Sequence, residues 1–382
     1  MHSIKQIVGV THHIAADAEG YISAIRLTGL KWGNYETAIG GMTSGKLAGA
    51  AGGSALCMKP TVINTNLAVV PGAEMWVEAA QIGTATAAST NVEICFDAAE
   101  GEKRYGFIRH LLTATANAKA MANSDVTSTT AYGIKVPSDA RRITSMIPLL
   151  GGTVAAATAV GGLANVRLEG GLPDGDFGLT CGGFAGLAST AAQQMGYFEP
   201  DQIQTNVRVS PGSIIQVYTE CVATDWGAPN IGIAIEMACS EAPNPMTYRH
   251  RCLLVGGVDT WVLLTSDGTL TTPGPLTVPV GMNRIRQVIF AEGDSTPTAA
   301  VRNHGTMLKL TGVNDGEALL ILNAVTGEGV PTTGNAGTAC GAKRRDVDIP
   351  VTPGKQISPY IDMSSGVDTS APYASVTLGF SQ

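Results

Sequence analysis

The chain has 382 residues, of which 44% are hydrophobic and 14% charged, and its formal net charge is −7. This high apolar content and small net charge exclude an intrinsically disordered chain. The acidic balance, without a long basic run, argues against nucleic acid as the main partner, because phosphate binding requires clustered lysine and arginine.

The N-terminal segment and the cysteines indicate a protein made in a reducing cytoplasm. The apolar run before His12 and His13 is shorter than the roughly 7–15 residues of a signal-peptide core, and no stretch reaches the roughly 18 apolar residues of a membrane span. The seven cysteines include no Cys-x-x-Cys pair, so we expect reduced thiols that pack as small core residues. His12 and His13 point to opposite sides of an extended chain, which argues against a shared metal ion.

Four sequence patterns recur three times in the same order. Each copy begins with an isoleucine and continues with an aliphatic-basic-Leu-polar-Gly segment, a Pro-Gly pair and a segment of alternating apolar residues. The Pro-Gly pairs are 140 and 142 residues apart, at Pro71, Pro211 and Pro353. Alternation with a period of two is typical of half-buried strands, and Pro-Gly is typical of a turn between strands.

The repetition predicts an all-β chain of three tandem homologous antiparallel β-sandwich or jelly-roll-like domains. The predicted domains are residues 1–140 and 141–282, each ending in a connector, and residues 283–382. The connectors contain the matching segments 109–112 and 249–252, which both begin with Arg-His. The third domain ends at Gln382 without a connector, so we expect an open sheet edge there that another chain completes.

The alternation also predicts which side chains form the core. Aligning residues 91–96, 230–235 and 373–378 places six apolar side chains on the inner face: Ile94, Phe96, Ile233, Ile235, Val376 and Leu378. On the same alignment, Cys95 lies on the opposite face. Short helices are expected only in the Ala-rich segments 113–121 and 184–192.

No motif for catalysis or cofactor binding occurs in the sequence. It lacks the G-x-S-x-G elbow of serine hydrolases, a phosphate-binding P-loop and a G-x-G-x-x-G dinucleotide turn. The acidic segments around Asp174, Asp176 and Asp315 lack the frame of a calcium loop and predict ordinary turns. We therefore expect no catalytic, cofactor-binding or metal-binding residues, and a protein that is not an enzyme.

Basic residues at matched positions are the candidate inter-domain or intersubunit contacts. One group has a cation at a single sheet position of each unit, and the other has Arg-His pairs in both connectors: Arg26, Arg167 and Lys309; Arg109, His110, Arg249 and His250. For the first group, the alternatives are a solvated face, an inter-domain ion pair and an intersubunit contact. For the Arg-His pairs, recurrence favours a structural salt link, and binding of a ligand or polyanion is the alternative.

Three like domains in one chain approximate a threefold object that suits a larger lattice. Together with the low charge and the small loop residues, this arrangement resembles the virion structural proteins of bacterial and archaeal viruses, which are built of tandem β-sandwich or jelly-roll-like domains. The resemblance implies a building block of a virus particle (capsid shell, decoration or tail) that is made in the host cytoplasm. Its partners would be copies of itself and other virion proteins, with neither nucleic acid binding nor membrane insertion.

A carbohydrate-binding or adhesive β-sandwich array is the alternative function. Such an array would present an exposed aromatic platform at the same place in each domain. The four tryptophans stand at non-equivalent positions, which counts against this function: Trp32, Trp76, Trp226 and Trp261.

Overall fold

All the regular structure that the computed structural model describes is β. The described residues are 1–13, 20–43, 60–83, 88–111, 118–122, 125, 133–153, 160–187, 194–195, 201–222, 228–253, 260–265, 267, 274–294, 302–327, 339–365 and 372–382. Within these ranges the chain forms 25 strands and no helix. The paired strands are antiparallel. The predicted all-β architecture of antiparallel β-sandwiches is confirmed.

The first six strands build the first sandwich. They are β1 (Ser3–His13), β2 (Gly20–Leu30), β3 (Gly33–Thr43), β4 (Thr61–Ala68), β5 (Trp76–Gly83) and β6 (Ala88–Asp97). They form two sheets, β4–β1–β6 and β3–β2–β5. The core between these sheets includes Ile4, Ile25 and Ile63. We call β4–β1–β6 the leading sheet.

The next ten strands build the second sandwich. They are β7 (Arg104–Leu111), β8 (Ala118–Met121), β9 (Ile134–Lys135), β10 (Arg142–Thr153), β11 (Val160–Glu169), β12 (Phe177–Leu187), β13 (Gln194–Met195), β14 (Ile203–Arg208), β15 (Ile214–Val222) and β16 (Ala228–Ala238). Its sheets are β14–β10–β16–β7 and β12–β11–β15–β9, with β13 paired to β12. Their shared core includes Ile143, Val166 and Ile233.

The last nine strands build the third sandwich. They are β17 (Met246–Leu253), β18 (Val262–Leu263), β19 (Leu276–Thr277), β20 (Arg284–Asp294), β21 (Arg302–Val313), β22 (Gly316–Gly327), β23 (Ala339–Pro350), β24 (Gln356–Ser365) and β25 (Pro372–Ser381). Its sheets are β17–β25–β20–β23 and β18–β24–β21–β22, with β19 paired to β24. A single pair of residues, Gly182 and Gly341, also joins β12 to β23. We call β18–β24–β21–β22 the trailing sheet.

The six sheets are stacked in chain order. The strands β2 and β3 pack on β10 and β16, and the strands β11 and β12 pack on β20 and β25. The first core accordingly extends to Ile147, Leu149 and Ala234 of the next sheet, and the second core extends to Ile289. The stack therefore begins with the leading sheet and ends with the trailing sheet, and the four sheets between them have neighbours on both faces.

The three strands that open the sandwiches share a β-bulge. The pairing register shifts at the same place in each, between Ile4 and Gln6, between Ile143 and Ser145, and between Ile285 and Gln287. The Pro-Gly pairs also form like turns, because their glycines have φ of 79°, 76° and 77°, at Gly72, Gly212 and Gly354. The domain boundaries after residues 140 and 282 stay a prediction.

The core prediction is wrong for Phe96, which is 45% exposed, and Ile94 is only partly buried. The other four predicted core residues are buried: Ile233, Ile235, Val376 and Leu378. Phe96 and Ile94 are incompletely buried because β6 has a partner strand on one side only within the described residues. The pairing register also displaces the sequence alignment, because the opening isoleucines pair with Phe96, Met237 and Phe380. Phe96 therefore corresponds to Met237, two residues beyond the position that the sequence alignment gave it.

Neither Ala-rich segment is helical where the structure describes it. Residues 184–187 belong to β12, and residues 118–121 form β8. The remaining residues of both segments lie outside the described part of the chain. Cross-strand pairing with β11 therefore outweighs the helix propensity of alanine in residues 184–187.

Candidate assembly surfaces

Two strands leave the sandwich that precedes them in sequence and complete a sheet of the next one. The strand β7 follows β6 in the chain but pairs with β16, and β17 follows β16 but pairs with β25. The two faces of β7 contact different cores, since Tyr105 and Phe107 pack on the second core while Ile108 belongs to the first. The strand β7 therefore ties the first two sandwiches together.

The strand β6 has an open edge, and the open edge predicted for the third sandwich is wrong, because β17 completes β25 there. Within the described residues the ladder partner of β6 is β1, whereas the corresponding strands β16 and β25 are paired on both sides. Three inward apolar side chains of β6 are incompletely covered as a result: Val92, Ile94 and Phe96. The residues at the same pairing positions of the inner sheets are buried: Ile233, Ile235 and Met237 on β16, and Val376, Leu378 and Phe380 on β25.

The trailing sheet has an uncovered apolar face. On β22, Leu319 and Ile321 are 66% and 72% exposed, while the alternate side chains Leu320 and Leu322 pack on the third core. At the other end of the stack, Val62 on the leading sheet is 44% exposed. Both ends of the stack therefore present apolar side chains to solvent.

Arg109 and Arg251 make matching contacts in the two strands that cross between sandwiches. Each donates to the carbonyl of the residue before it (2.6 and 2.8 Å) and to a glycine carbonyl, Gly133 at 2.9 Å and Gly274 at 3.0 Å. Both arginines also pair with corresponding residues of β16 and β25. The sequence match equated Arg109 with Arg249, but the strand pairing equates Arg109 with Arg251, two residues further on. The contact that the two matched arginines share is to backbone carbonyls.

His110 is enclosed without a polar partner. Its side chain is fully buried, and neither ring nitrogen has a hydrogen-bond partner among the described residues. Burial lowers the pKa of His110 to about 4, an effect that Asp125 opposes and Arg109 reinforces. The imidazole is therefore neutral at pH 7 and acts as a packing group between β7 and its neighbours.

Arg167 and His250 meet around a buried carboxylate. Glu220 on β15 is fully buried, with Arg167 Nη2 2.8 Å from its Oε1, and His250 Nε2 donates to its Oε2 over 2.9 Å. Asp267 adds a second carboxylate 3.0 Å from Arg167. Burial opposes the charge of Arg167, but Glu220 and Asp267 outweigh it and raise the pKa of the guanidinium. Because His250 lies on β17, this cluster joins the second and third sandwiches.

The remaining three candidates do not come together. Their partners are separate: Arg26 donates to Glu36 Oε1 (2.7 Å), Lys309 lies over the ring of Trp261 (4.7 Å to its centroid), and Arg249 donates to the carbonyl of Asp174 (3.1 Å). The matched cations Arg26, Arg167 and Lys309 thus share a sheet position but not a partner.

A buried carboxylate that the sequence analysis missed lies between the first two sandwiches. Glu236 on β16 accepts hydrogen bonds from Tyr35 (2.9 Å), Thr65 (2.5 Å) and Thr144 (2.6 Å), and forms an ion pair with Arg104. Burial, reinforced by Glu236, raises the pKa of Tyr35 well above its usual value. The sequence signal is a single acidic residue inside the otherwise apolar run IGIAIEMA.

The described residues offer no built metal site. They contain no group of three or more His, Cys, Asp or Glu side chains placed to hold a metal ion. The cysteines whose state is described are free thiols: Cys95, Cys181, Cys239 and Cys252. Burial raises the pKa of Cys252 to about 12. Over the same parts of the chain, no helix has the length and apolar character needed to cross a membrane.

Comparison with known proteins identifies no family. No protein-family model and no curated protein sequence matches the chain. Among solved structures, the chain is similar to PNGF-II in the C2 space group, with a TM-score of 0.34, 8% identity and coverage of 98% of both chains. It is also similar to the VP2 subviral particle of infectious bursal disease virus, with a TM-score of 0.19, 9% identity and coverage of 100% of this chain and 72% of that one. Likenesses at these TM-scores carry no argument about function.

Proposed function

We propose that this chain is a structural building block of a virus particle (capsid shell, decoration or tail component) that assembles through contacts between its own copies. In this proposal it performs no catalysis, is made in the host cytoplasm and takes its place in the virion beside other virion proteins. It neither binds nucleic acid nor inserts into a membrane.

The open edge of β6 is the observation that carries this proposal. The chain completes its second and third sandwiches by passing a strand to β16 and to β25. The same edge of β6 is left without a strand in the described residues, and Phe96 beside it is half exposed. Unpaired N–H and C=O groups next to an apolar side chain favour pairing with a strand of a neighbouring chain.

The physical character of such a contact suits a shell or tail subunit. It combines backbone hydrogen bonds with burial of apolar side chains, and only 14% of the residues are charged. Apolar burial is little affected by ionic strength, in contrast to pairing between exposed charges. The proposal therefore predicts assemblies that survive in high salt.

Analytical ultracentrifugation across concentration and NaCl tests the proposal. We expect the wild-type protein to assemble as its concentration rises and to remain assembled at roughly 0.5 M NaCl, where the Debye length is only a few Å. Phe96→Lys places a charge beside the β6 edge and is expected to weaken assembly. Val280→Lys, in an almost fully exposed turn, is the matched control and should assemble like the wild type.

Two results would contradict the proposal: a monomer at every concentration, or assemblies that dissociate at roughly 0.5 M NaCl. Negative-stain imaging of the assembled fraction tests the virion role separately. Shells, tubes or rings of defined size are expected. Irregular aggregates would count against a particle subunit.

A carbohydrate-binding or adhesive role is the second candidate, and exposed tryptophans favour it. Trp32 and Trp76 are both exposed and lie at the same end of the sheet β3–β2–β5, because Trp32 is in the turn between β2 and β3 and Trp76 pairs with Thr28. Aromatic faces with a polar group at the rim suit binding surfaces of this kind. Glycan-array binding that is lost in Trp76→Ala and kept in Phe96→Lys would favour this role over assembly.

A further inference from the structure

We propose that copies of this chain join head to tail, with the outer face of the trailing sheet of one copy packed on the outer face of the leading sheet of the next. This inference rests on the proposed self-assembly and names the two surfaces that meet. Their outward apolar side chains define them: Leu319 and Ile321 on the trailing sheet, and Val8, Val10 and Val62 on the leading sheet.

The same kind of contact occurs twice inside the chain. The sheet β3–β2–β5 packs on the sheet that contains β10, where Ala38 shares a core with Ile147 and Leu149. The sheet that contains β12 packs on the sheet that contains β20 and β25, where Thr180 and Thr377 are hydrogen-bonded through their hydroxyls at 2.9 Å. In both cases the second sheet of one sandwich covers the first sheet of the next.

Leu319 and Ile321 occupy the contact positions of the trailing sheet. The matched cations Arg26, Arg167 and Lys309 pair with Glu36, Gly178 and Leu319, so these three partners occupy corresponding positions. Two residues further along the same strands, Ile321 corresponds to Ala38 and Thr180. At both inner interfaces the second of these positions is fully buried against the next sheet. The trailing sheet carries two large aliphatic side chains at these positions, so its outer face has the chemistry of a covered face.

The outer face of the leading sheet has the matching character. By the registers with β6, β16 and β25, Val8 corresponds to Ile147 and Ile289, and Val10 corresponds to Leu149 and Ala291. All four of these counterparts are buried, whereas Val8 and Val10 are partly exposed and Val62, the partner of Val8 on β4, is 44% exposed. These three valines therefore form an apolar strip, beside the exposed Asn64 and Glu93, on a face that no other sheet of the described residues covers.

The two faces differ, so the contact is heterologous and leaves one free face on each end of a dimer. Repeating it from copy to copy gives a closed ring or a filament, according to the rotation between neighbours. We expect charge to help orient the contact, because Arg345 of β23 reaches the edge of the trailing sheet, donating to the Ile321 carbonyl over 2.7 Å, and Glu93 is exposed on the leading sheet. Opposite charges across an interface contribute more to orientation than to affinity.

Complementation between two full-length variants tests the head-to-tail contact. The trailing-face variant carries Leu319→Lys and Ile321→Lys, and the leading-face variant carries Val62→Lys. Both variants also carry Phe96→Lys, so that pairing at the β6 edge does not add to the result. We expect each variant alone to sediment as a monomer, since each has lost one half of the head-to-tail contact. An equimolar mixture should form a dimer of one copy of each and nothing larger, because one intact pair of faces remains.

The outcomes separate this inference from the proposed function. A wild-type chain that is monomeric at every concentration would overturn self-assembly itself. Assembly that persists in the trailing-face variant would overturn the head-to-tail contact alone, and so would a mixture of the two variants that stays monomeric. Circular dichroism and calorimetry of each variant, beside the Val280→Lys control, establish that the variants are folded.

Discussion

Replacing phenylalanine by alanine at the same pairing position of two sheets measures how far the edge strand β6 of the leading sheet is exposed to solvent. Phe96 and Phe380 each pair with the isoleucine that opens the sandwich, but Phe380 is fully buried and Phe96 is 45% exposed. Replacing a buried phenylalanine by alanine removes its transfer free energy and leaves a cavity, at a cost of about 3–5 kcal/mol. Because roughly half of Phe96 already contacts water, Phe96→Ala is expected to cost about 2 kcal/mol.

Scanning calorimetry of dilute, monomeric protein measures the difference in stability loss between the two variants. For units of roughly 100–150 residues, 1 kcal/mol shifts Tm by about 4 °C, so Phe380→Ala should lower the Tm of its transition by about 12–20 °C and Phe96→Ala by about 8 °C. At concentrations where copies assemble, a neighbour at the β6 edge covers Phe96, and its truncation should then cost more. Equal losses for both variants in dilute protein would refute the assignment of Phe96 to an open edge.

Three further substitutions test the buried polar groups. Arg104→Met leaves Glu236 buried without its cation and should cost about 3–5 kcal/mol in urea denaturation, and adding Glu236→Gln should recover much of that loss. Gly178→Ala directs a methyl group against His250 Nδ1, so it should lower the Tm, and this loss should be much smaller when the substitution is made in a His250→Ala background; additive effects would contradict the clash. The pKa of His110 is about 4 in the folded chain, against 6.5 in its ordinary state. As the pH falls from 6.5 toward 4, the unfolded chain takes up a proton that the folded chain does not, so up to about 3 kcal/mol of folding stability is lost. His110→Phe should flatten that dependence, and an unchanged pH profile would contradict the burial of a neutral imidazole.

The strands and turns could be predicted from the sequence because their signals are local. Alternation marks the strands, and Pro-Gly places a residue of positive φ at each matched turn. The pairing of β7 and β17 with the following sandwich depends on contacts far apart in the chain, so no local pattern reveals it. A displacement of two residues leaves alternation intact, which is why Phe96 was aligned with Ile235 and not with Met237.

The candidate contacts illustrate the same limit. Matching the Arg-His pairs by letter equated Arg109 with Arg249, whereas the ladder equates Arg109 with Arg251, and both of these arginines bind backbone carbonyls. Glu236 shows the reverse case, since its signal was present in the sequence. A lone acidic residue in an apolar strand requires buried donors, and Tyr35 and Arg104 supply them from elements far away in sequence.

The contrast between inner and outer sheets explains why the ends of the stack are the surfaces to test. Residues 143–150 of β10, residues 231–238 of β16 and residues 374–381 of β25 are buried throughout, because a sheet covered on both faces carries apolar side chains on both. A sheet with one solvated face instead alternates apolar with polar residues. The leading and trailing sheets depart from that rule, since Val62 and Ile321 stand on their outward faces. These outward apolar side chains are therefore the part of each end sheet that a second copy of the chain would cover under the proposed head-to-tail contact.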